Sequence, residues 1–218
     1  MKINPFPSKI IDIGFNKGQF TTLILLFKKK SIVYGFDPSE GETFFIAKRL
    51  KSLYPKRFKF FNYALGDKNQ EKYLNIALSS DNNSFMKPTL ENQNLFNKVS
   101  LSGIRKKVKI KTLTELDIKF EGTINLLKID VQGYEIKILK GISNEIYKNI
   151  EWIYIELSEI ELYKGQGSYS EIDRFLKNKG FFVEGKYNIT KKRNQEKIIY
   201  CDALYKNIYS TSIFEAGR

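Results

Sequence analysis

Short apolar runs alternate along the chain with stretches whose apolar residues recur at helical spacing. This alternation is typical of parallel strands connected by helices that pack on a sheet, and we predict one Rossmann-like α/β domain over residues 1–218. The predicted strands are Lys9–Ile13, Ser31–Phe36, Phe58–Asn62, Val108–Thr112, Asn125–Val131, Ile150–Leu157, Gly180–Glu184 and Lys197–Leu204. The last two strands are expected to form a hairpin across a turn at Lys191–Gln195.

Helices are predicted between these strands. One covers Tyr134–Ile142, and another begins near Ser170, which is spaced from Asp173 as in a capping box. The two earlier helices each have an apolar face that is expected to pack on the sheet. These faces are Phe20, Leu23, Ile24 and Phe27 in the helix Gln19–Phe27, and Ile46, Leu50 and Leu53 in the helix Glu42–Leu53.

A polar segment from Ser79 to Leu101 interrupts the alternation. It is rich in Asn and Ser, and its one small apolar island is Ser84, Phe85 and Met86. Long segments of weak pattern inside a compact domain are usually functional loops. We therefore predict that residues 79–101 form a mobile cover over a binding site, with the island nearest the ligand.

Composition removes several classes of function. The chain has no histidine, which excludes Ser-His-Asp and Cys-His nucleophiles and zinc sites that need imidazole. Cys201 is the only cysteine, so an intrachain disulfide cannot form and a reducing, cytoplasmic location is expected. The early apolar run Leu23–Phe27 is far too short to span a bilayer.

The formal net charge of +13 points only weakly to a polyanionic partner. The lysines are scattered, and the short basic runs at 28–30, 105–107 and 191–193 do not alternate with aromatic residues as a base-stacking surface would. We favour a solvated lysine-rich surface over a nucleic-acid interface.

The loop after the first strand has the chemistry of an adenosine site. Asp12, Gly14 and Gly18 form a D-x-G-x-x-x-G pattern rather than the G-x-G-x-x-G of dinucleotide-binding proteins. Gly14 would allow close approach of a ligand, and Gly18 tight packing of helix against strand. Asp37 ends the second strand, where it could accept both ribose hydroxyls. Asp12 would suit a sulfonium cation better than a pyrophosphate. A plain strand-to-helix turn is the alternative.

The fourth core strand carries an unexpected lysine. Leu126, Lys128 and Asp130 share one face of a strand that should be apolar on both faces. A buried lysine needs an ionic partner, and Asp130 or Glu156 at the end of the next strand could provide one. The alternative is that Lys128 extends to the rim of the sheet.

These motifs resemble those of the FkbM-type methyltransferases, class I enzymes that use S-adenosylmethionine. The resemblance covers about residues 10–182 and depends on IIDIGFNKGQF, IVYGFDP, NYALGD, LLKIDVQGYEIKILKG and the segment that begins at Ile150. Two positions differ from the family pattern. Gln132 replaces the acidic residue of LKIDVEG and cannot act as a base, and Asp37-Pro38 replaces Glu-Pro but keeps the carboxylate.

The resemblance implies a mostly parallel seven-stranded sheet with helices on both faces. It also implies O-methylation of a hydroxyl on a sugar, glycan or other small metabolite. An RNA ribose methyltransferase and a non-catalytic cofactor-binding domain are the alternatives. The residues expected to bind S-adenosylmethionine are Asp12, Gly14, Asn16, Gly18, Gln19, Asp37, Ala64 and Leu65.

A methyl transfer to a hydroxyl needs a group that takes the hydroxyl proton. The candidates are Asp130, Glu135 and Glu156, with Lys128 orienting them. We expect Asp130 and Glu156 to face each other across neighbouring strands. Such carboxylates could also hold Mg²⁺, but Lys128 would neutralise part of their charge, so we favour a site without a metal and assign no metal ligands.

Overall fold

A computed structural model describes residues 8–96, 99–116, 122–192 and 196–210. The strands are β1 Lys9–Ile13, β2 Ile32–Phe36, β3 Phe58–Phe61, β4 Ala64–Leu65, β5 Gln70–Ala77, β6 Leu101–Lys111, β7 Ile124–Ile129, β8 Ile150–Ser158, β9 Phe181–Lys191 and β10 Ile198–Asn207. The helices are α1 Gln19–Phe27, α2 Glu42–Leu53, α3 Leu90–Leu95, α4 Glu135–Lys140, α5 Asn144–Asn149 and α6 Tyr169–Lys177.

The main sheet has seven strands in the order β3-β2-β1-β7-β8-β10-β9, which confirms the predicted fold class. The first five strands are parallel, and β10 is antiparallel to both β8 and β9. The predicted hairpin of the last two strands is therefore confirmed, although residues 193–195 of its turn lie outside the described part of the chain. Because β1 lies beside both β2 and β7, the loops that follow these three strands meet at one edge of the sheet.

Apolar residues of successive strand positions pack on opposite faces of the sheet. Ile10 and Val33 belong to a cluster with α1 and α2 residues, whereas Ile11 packs in a larger cluster with α4 and α6 residues. The predicted helices on both faces are thus present. No helix of the described residues is long and apolar enough to cross a bilayer.

The predicted faces of α1 and α2 are wrong in part. In α1 the buried residues are Thr21 and Leu25, while Leu23 and Phe27 are 54% and 75% exposed. In α2 Leu53 is 62% exposed. The reason for α1 is that its position is set by a polar contact, because the Thr21 hydroxyl reaches back to Asp12 at the end of β1. Apolar periodicity carries no information about such a contact.

The predicted capping box of α6 is also wrong. The helix begins two residues earlier, at the N-cap Ser168, whose hydroxyl accepts a hydrogen bond from the backbone N–H of Glu171 at 3.2 Å. Ser168 and Glu171 have the same S-x-x-E spacing that defines a capping box. The sequence has two serines, at 168 and 170, each followed three residues later by an acidic residue, so spacing alone did not decide where the helix begins.

A second sheet of three strands, in the order β4-β6-β5, was not predicted. Only the last part of β6 was expected, as Val108–Thr112. The sequence lacks the alternation of apolar and polar residues that indicates a strand. The reason is that β6 is exposed along most of its length and carries basic residues where a half-buried strand would carry apolar ones. Its hydrogen bonds to β5 therefore form without a hydrophobic alternation in the sequence.

Candidate active site

The loops that follow β1, β2 and β7 surround a cavity of about 310 Å³. The second sheet closes one wall through Ala64, Leu65 and Leu74, so the unpredicted strands help to form the site. Of the residues predicted to bind a cofactor, those that line the cavity are Gly14, Asn16, Gln19, Asp37, Ala64 and Leu65.

Gly14 brings the loop after β1 against the end of β7. Its φ of +83° lies in the region that favours glycine, and a Cβ built there would lie 1.8 Å from the backbone oxygen of Asp130. A side chain at this position would therefore force the two loops apart. The glycine of the first motif is explained by this contact within the protein, and the contact places Asp130 beside the first loop.

Asp37 is held at the end of β2 with its carboxylate at the cavity wall. One oxygen accepts the backbone N–H of Asn16 and the other accepts that of Ser39, each at 2.8 Å. Each carboxylate oxygen can accept a further hydrogen bond. Asp37 thus joins the loops after β1 and β2 and still has acceptor capacity for a ligand with two hydroxyl groups.

An aromatic pair forms the apolar side of the cavity. The rings of Phe85 and Tyr134 have their centroids 4.9 Å apart, and both residues line the cavity. The Nζ of Lys72 lies 4.8 Å from the centroid of the Tyr134 ring. Tyr134 was missed as a site residue, although an aromatic residue directly after the glycine of the Gln132-Gly133 loop was the available signal.

Asp12 does not line the cavity, so the prediction that it contacts the cofactor's cation directly is wrong. Its carboxylate is fully buried, accepts the Thr21 hydroxyl at 2.7 Å and lies 3.2 Å from the Nζ of Lys128. Burial raises the pKa of Asp12, and Lys128 and Thr21 oppose this shift. Gly18 also lies behind the cavity, where a Cβ would lie 2.5 Å from the Phe15 ring. Both residues therefore support the site from within the core.

Lys128 is a buried lysine with ionic partners, which is one of the two arrangements expected from the sequence. Besides Asp12, its ammonium lies 3.7 Å from Asp130. Burial alone would lower the pKa of Lys128, but the carboxylates of Asp12 and Asp130 outweigh it and raise the pKa. The principal partner is Asp12, which was not among the partners expected from the sequence, and no ion pair joins Lys128 to Glu156 among the described contacts.

Of the three carboxylates predicted as candidates for the base, Asp130 is the one that lines the cavity. Its side chain is 41% exposed, and it accepts a hydrogen bond from the Nε2 of Gln132 at 3.1 Å. The pairing of β7 with β8 ends at Ile129 and Ile155, so Asp130 and Glu156 are the next residues of the two neighbouring strands.

Glu135 is buried and Glu156 is half-buried beside Asp130, and neither lines the cavity. One oxygen of Glu135 accepts the backbone N–H groups of Val131 and Gly133, and burial raises the pKa of Glu135 to about 7. Burial, followed by the charges of Asp130 and Glu135, raises the pKa of Glu156 well above its ordinary value. The three carboxyl groups are thus together, but only that of Asp130 faces the cavity.

Part of the polar segment lies against the cavity, which Ser84 and Phe85 of its apolar island line but Met86 does not. It contains a 3₁₀ turn at Ser80–Asn82 and the helix α3, and several of its residues line the cavity. The Nδ2 of Asn16 donates to Asp81 at 2.6 Å, and the Ser84 hydroxyl donates to the backbone oxygen of Gln132 at 2.6 Å. The segment is therefore attached to the loops after β1 and β7. Residues 97–98 lie outside the description, and its predicted mobility stays a prediction.

A sequence profile of the Methyltransferase FkbM domain matches residues 12–183. The chain belongs to this family. The match confirms the resemblance that the motifs indicated, and the family and fold are those of S-adenosylmethionine-dependent methyltransferases. A curated relative, "Methyltransferase 1" of Beauveria bassiana (strain ARSEF 2860), is 25% identical over 194 residues, which cover 83% of this chain and 76% of the relative.

Two solved methyltransferase structures are similar in fold to this FkbM-domain chain. Methyltransferase FkbM from Methylobacillus flagellatus KT matches with a TM-score of 0.56 at 13% identity, over 94% of this chain and 44% of the other. M. capricolum TrmK in complex with S-adenosyl-homocysteine matches with a TM-score of 0.51 at 10% identity, over 93% and 63%. The chain thus spans less than half of the first neighbour. At these identities the similarity establishes the class I methyltransferase fold.

Proposed function

We propose that this chain is an S-adenosylmethionine-dependent O-methyltransferase whose acceptor is a hydroxyl of a sugar, a glycan or another small metabolite. The proposal is carried by one observation, that Asp37 and Asp130 both line the same cavity at the carboxyl ends of parallel strands. One carboxylate has the position of a ribose-binding acid, and the other is available to take a proton.

The residues present suit S-adenosylmethionine. Asp37 can accept both ribose hydroxyls with the lone pairs that Asn16 and Ser39 leave free. Ala64 and Leu65 are buried at the apolar wall, which suits an adenine ring. The neighbour TrmK, which holds the demethylated product, supports the same use of this fold. When bound, the cofactor supplies a methyl group on a sulfonium cation.

Asp130 has the exposure and the surroundings of a general base. As the acceptor oxygen bonds to the methyl carbon, its O–H proton would pass to the Asp130 carboxylate. Gln132 and Lys128 hold that carboxylate from two sides. Since holding the reacting groups in line supplies much of the acceleration, a fixed carboxylate is what this reaction needs from the protein.

The lining of the cavity favours a neutral hydroxylated acceptor. Its described residues include Asp37, Asp81 and Asp130 but neither lysine nor arginine. Asn83 and Ser84 offer uncharged donors and acceptors, and the Phe85 and Tyr134 rings offer an apolar surface. An acceptor whose phosphates had to enter this cavity would meet carboxylates instead of cations.

An RNA ribose methyltransferase is the second candidate, and one surface feature favours it. The strand β6 carries Arg105, Lys107 and Lys109 at exposed positions, and the Arg105 guanidinium lies 4.8 Å from the Tyr73 ring centroid. RNA binding through these cations would weaken steeply with salt. A screen of methyl transfer from labelled cofactor into sugars, nucleotide-sugars, glycans and RNA would separate the two candidates.

The cofactor assignment predicts that Asp37→Asn weakens binding of S-adenosylmethionine. The substitution removes the negative charge of the carboxylate that would accept the ribose hydroxyls. It also places an amide NH₂ where a backbone N–H now donates to a carboxylate oxygen. We expect a loss of about 1.5–3 kcal/mol in binding free energy, measured by calorimetry. Glu184→Gln, on the exposed edge strand β9, is the matched control and should leave affinity unchanged. Equal affinities in a folded Asp37 variant would remove the assignment.

The cover hypothesis predicts that ligands protect the segment 79–86 from hydrogen exchange. Asp81 and Ser84 attach this segment to two loops of the site, so a bound cofactor and acceptor should lower the rate at which these contacts open. Hydrogen exchange is measured in three states: without ligand, with S-adenosylhomocysteine, and with S-adenosylhomocysteine and the acceptor together. The exposed residues 51–53 at the end of α2 serve as the internal control. Equal exchange of 79–86 in all three states would contradict a mobile cover.

A further inference from the structure

Gln132 lies at the centre of the loop after β7 in a backbone conformation that a non-glycine residue rarely adopts. Its φ is +58°, and the adjacent Gly133 has a φ of +96°. Such a conformation persists only where surrounding contacts hold it. Here the backbone oxygen of Gln132 accepts the Ser84 hydroxyl at 2.6 Å, which connects the loop to the polar segment above it.

The side-chain amide of Gln132 joins Asp130 to Tyr163. Its Nε2 donates to Asp130 Oδ1 at 3.1 Å, and its Oε1 accepts the Tyr163 hydroxyl at 2.9 Å. Because a carboxylate only accepts hydrogen bonds, the amide must turn its NH₂ toward Asp130. Its oxygen is then left for the phenol, so the row Tyr163–Gln132–Asp130 has one direction of donation.

Tyr163 is held in place by its surroundings and can donate to the amide oxygen. The residue is 3% exposed, and its backbone N–H donates to Gln166 at 2.8 Å. A Cβ on Gly133 would lie 2.9 Å from the Cβ of Tyr163, so glycine at 133 allows this approach. Burial raises the pKa of Tyr163, with Glu156 the next cause, and its hydroxyl therefore stays protonated and able to donate.

We propose that Gln132 is a positioning residue, which orients the Asp130 carboxylate toward the cavity and adds a donor to it without adding a charge. The inference builds on the proposed role of Asp130 as the base. The hydrogen bond stabilises the ionised carboxylate, which is the form that accepts a proton. Tyr163 acts one step behind, since its hydroxyl donates to the amide oxygen and so holds the amide that faces Asp130.

The charges around Asp130 explain why an uncharged donor suits this position. The groups that act on it or are acted on by it are Asp12, Lys128, Glu135, Tyr154, Glu156 and Tyr163. Lys128 is the one cation in this set, and Asp12 holds it at the shorter distance. A glutamate at 132 would add a carboxylate about 3 Å from Asp130 and oppose ionisation of the pair.

The first test observes the amide itself and requires no turnover. The side-chain NH₂ resonances of Gln132, assigned through Gln132→Met, should shift in Asp130→Asn and in Tyr163→Phe. The control Tyr187→Phe removes an exposed hydroxyl on β9 and should leave them in place. If the chemical shifts of these resonances are unchanged in both Asp130→Asn and Tyr163→Phe, the proposed hydrogen-bond arrangement is wrong.

The second test separates positioning from mere structural support. With saturating cofactor, Gln132→Met and Tyr163→Phe should each lower kcat by about 10- to 100-fold with little change in cofactor affinity. Gln132→Glu should move the acidic limb of the pH–rate profile to higher pH. A pH profile identical to the wild type in Gln132→Glu would overturn the proposal. A wild type without turnover would instead refute the proposed function, while the amide resonances still decide the arrangement.

Discussion

Asp130→Asn should lower the rate of methyl transfer by about 10²–10⁴-fold while the protein still folds and binds its cofactor. The substitution keeps the size of the side chain and removes its ability to take a proton. Asp130 is the only member of the described carboxyl cluster of Asp130, Glu135 and Glu156 that lines the cavity. The measurement is single-turnover transfer from labelled S-adenosylmethionine to an acceptor found in the screen.

Two neighbouring variants provide matched controls for this expectation. Glu135→Gln and Glu156→Gln remove one buried and one half-buried carboxyl group beside Asp130. We expect turnover of the same order as in the wild type wherever these variants fold. A large loss in either one, with Asp130→Asn active, would transfer the assignment to that residue. Near-normal turnover in all three would place the base elsewhere. Assays with and without chelator test the Mg²⁺ hypothesis on the same samples.

Most strands of the core sheet were predictable from short apolar runs in the sequence. In β2, for example, Val33 is fully buried and lies in the run IVYGF, which no charged residue interrupts before the strand ends at Phe36. The second sheet was not predictable for the opposite reason. In β6 only Ile110 is buried, and its exposed positions carry lysines that also suit a loop.

Within the site, the residues found from sequence are those defined by their own strand end. Gly14 and Asp37 each follow a strand directly, and their place at the cavity depends only on the general rule for parallel sheets. The pair of Asp12 and Lys128 depends instead on strand order. These residues are 116 positions apart and come level because β7 lies beside β1, with Asp12 in register with Lys128. Local pattern contains no record of that adjacency.

Lys128→Met should destabilise the protein by about 3–5 kcal/mol, measured by denaturant unfolding. Lys128 is 8% exposed and Asp12 is fully buried, so removal of the ammonium leaves a carboxylate in the core, for which the Thr21 hydroxyl is the one remaining donor among the described contacts. The control is Lys177→Met, which breaks a surface pair with Asp173 at helical spacing. Exposed pairs of this kind contribute little to stability, so the control should unfold close to the wild type.

The loss in Lys128→Met should also depend on pH in a defined direction. Burial already raises the pKa of Asp12, and the absence of Lys128 removes the main opposing cause. A carboxyl group with a raised pKa in the folded state favours folding in its protonated form. The deficit should therefore be smallest near and below the unfolded pKa of Asp, about 3.9, and should grow as the pH rises. Adding Asp12→Asn should recover part of the stability at neutral pH, because the buried group is then neutral. A deficit no larger than that of Lys177→Met, or one that does not change with pH, would mean that Asp12 is not left as a buried charge.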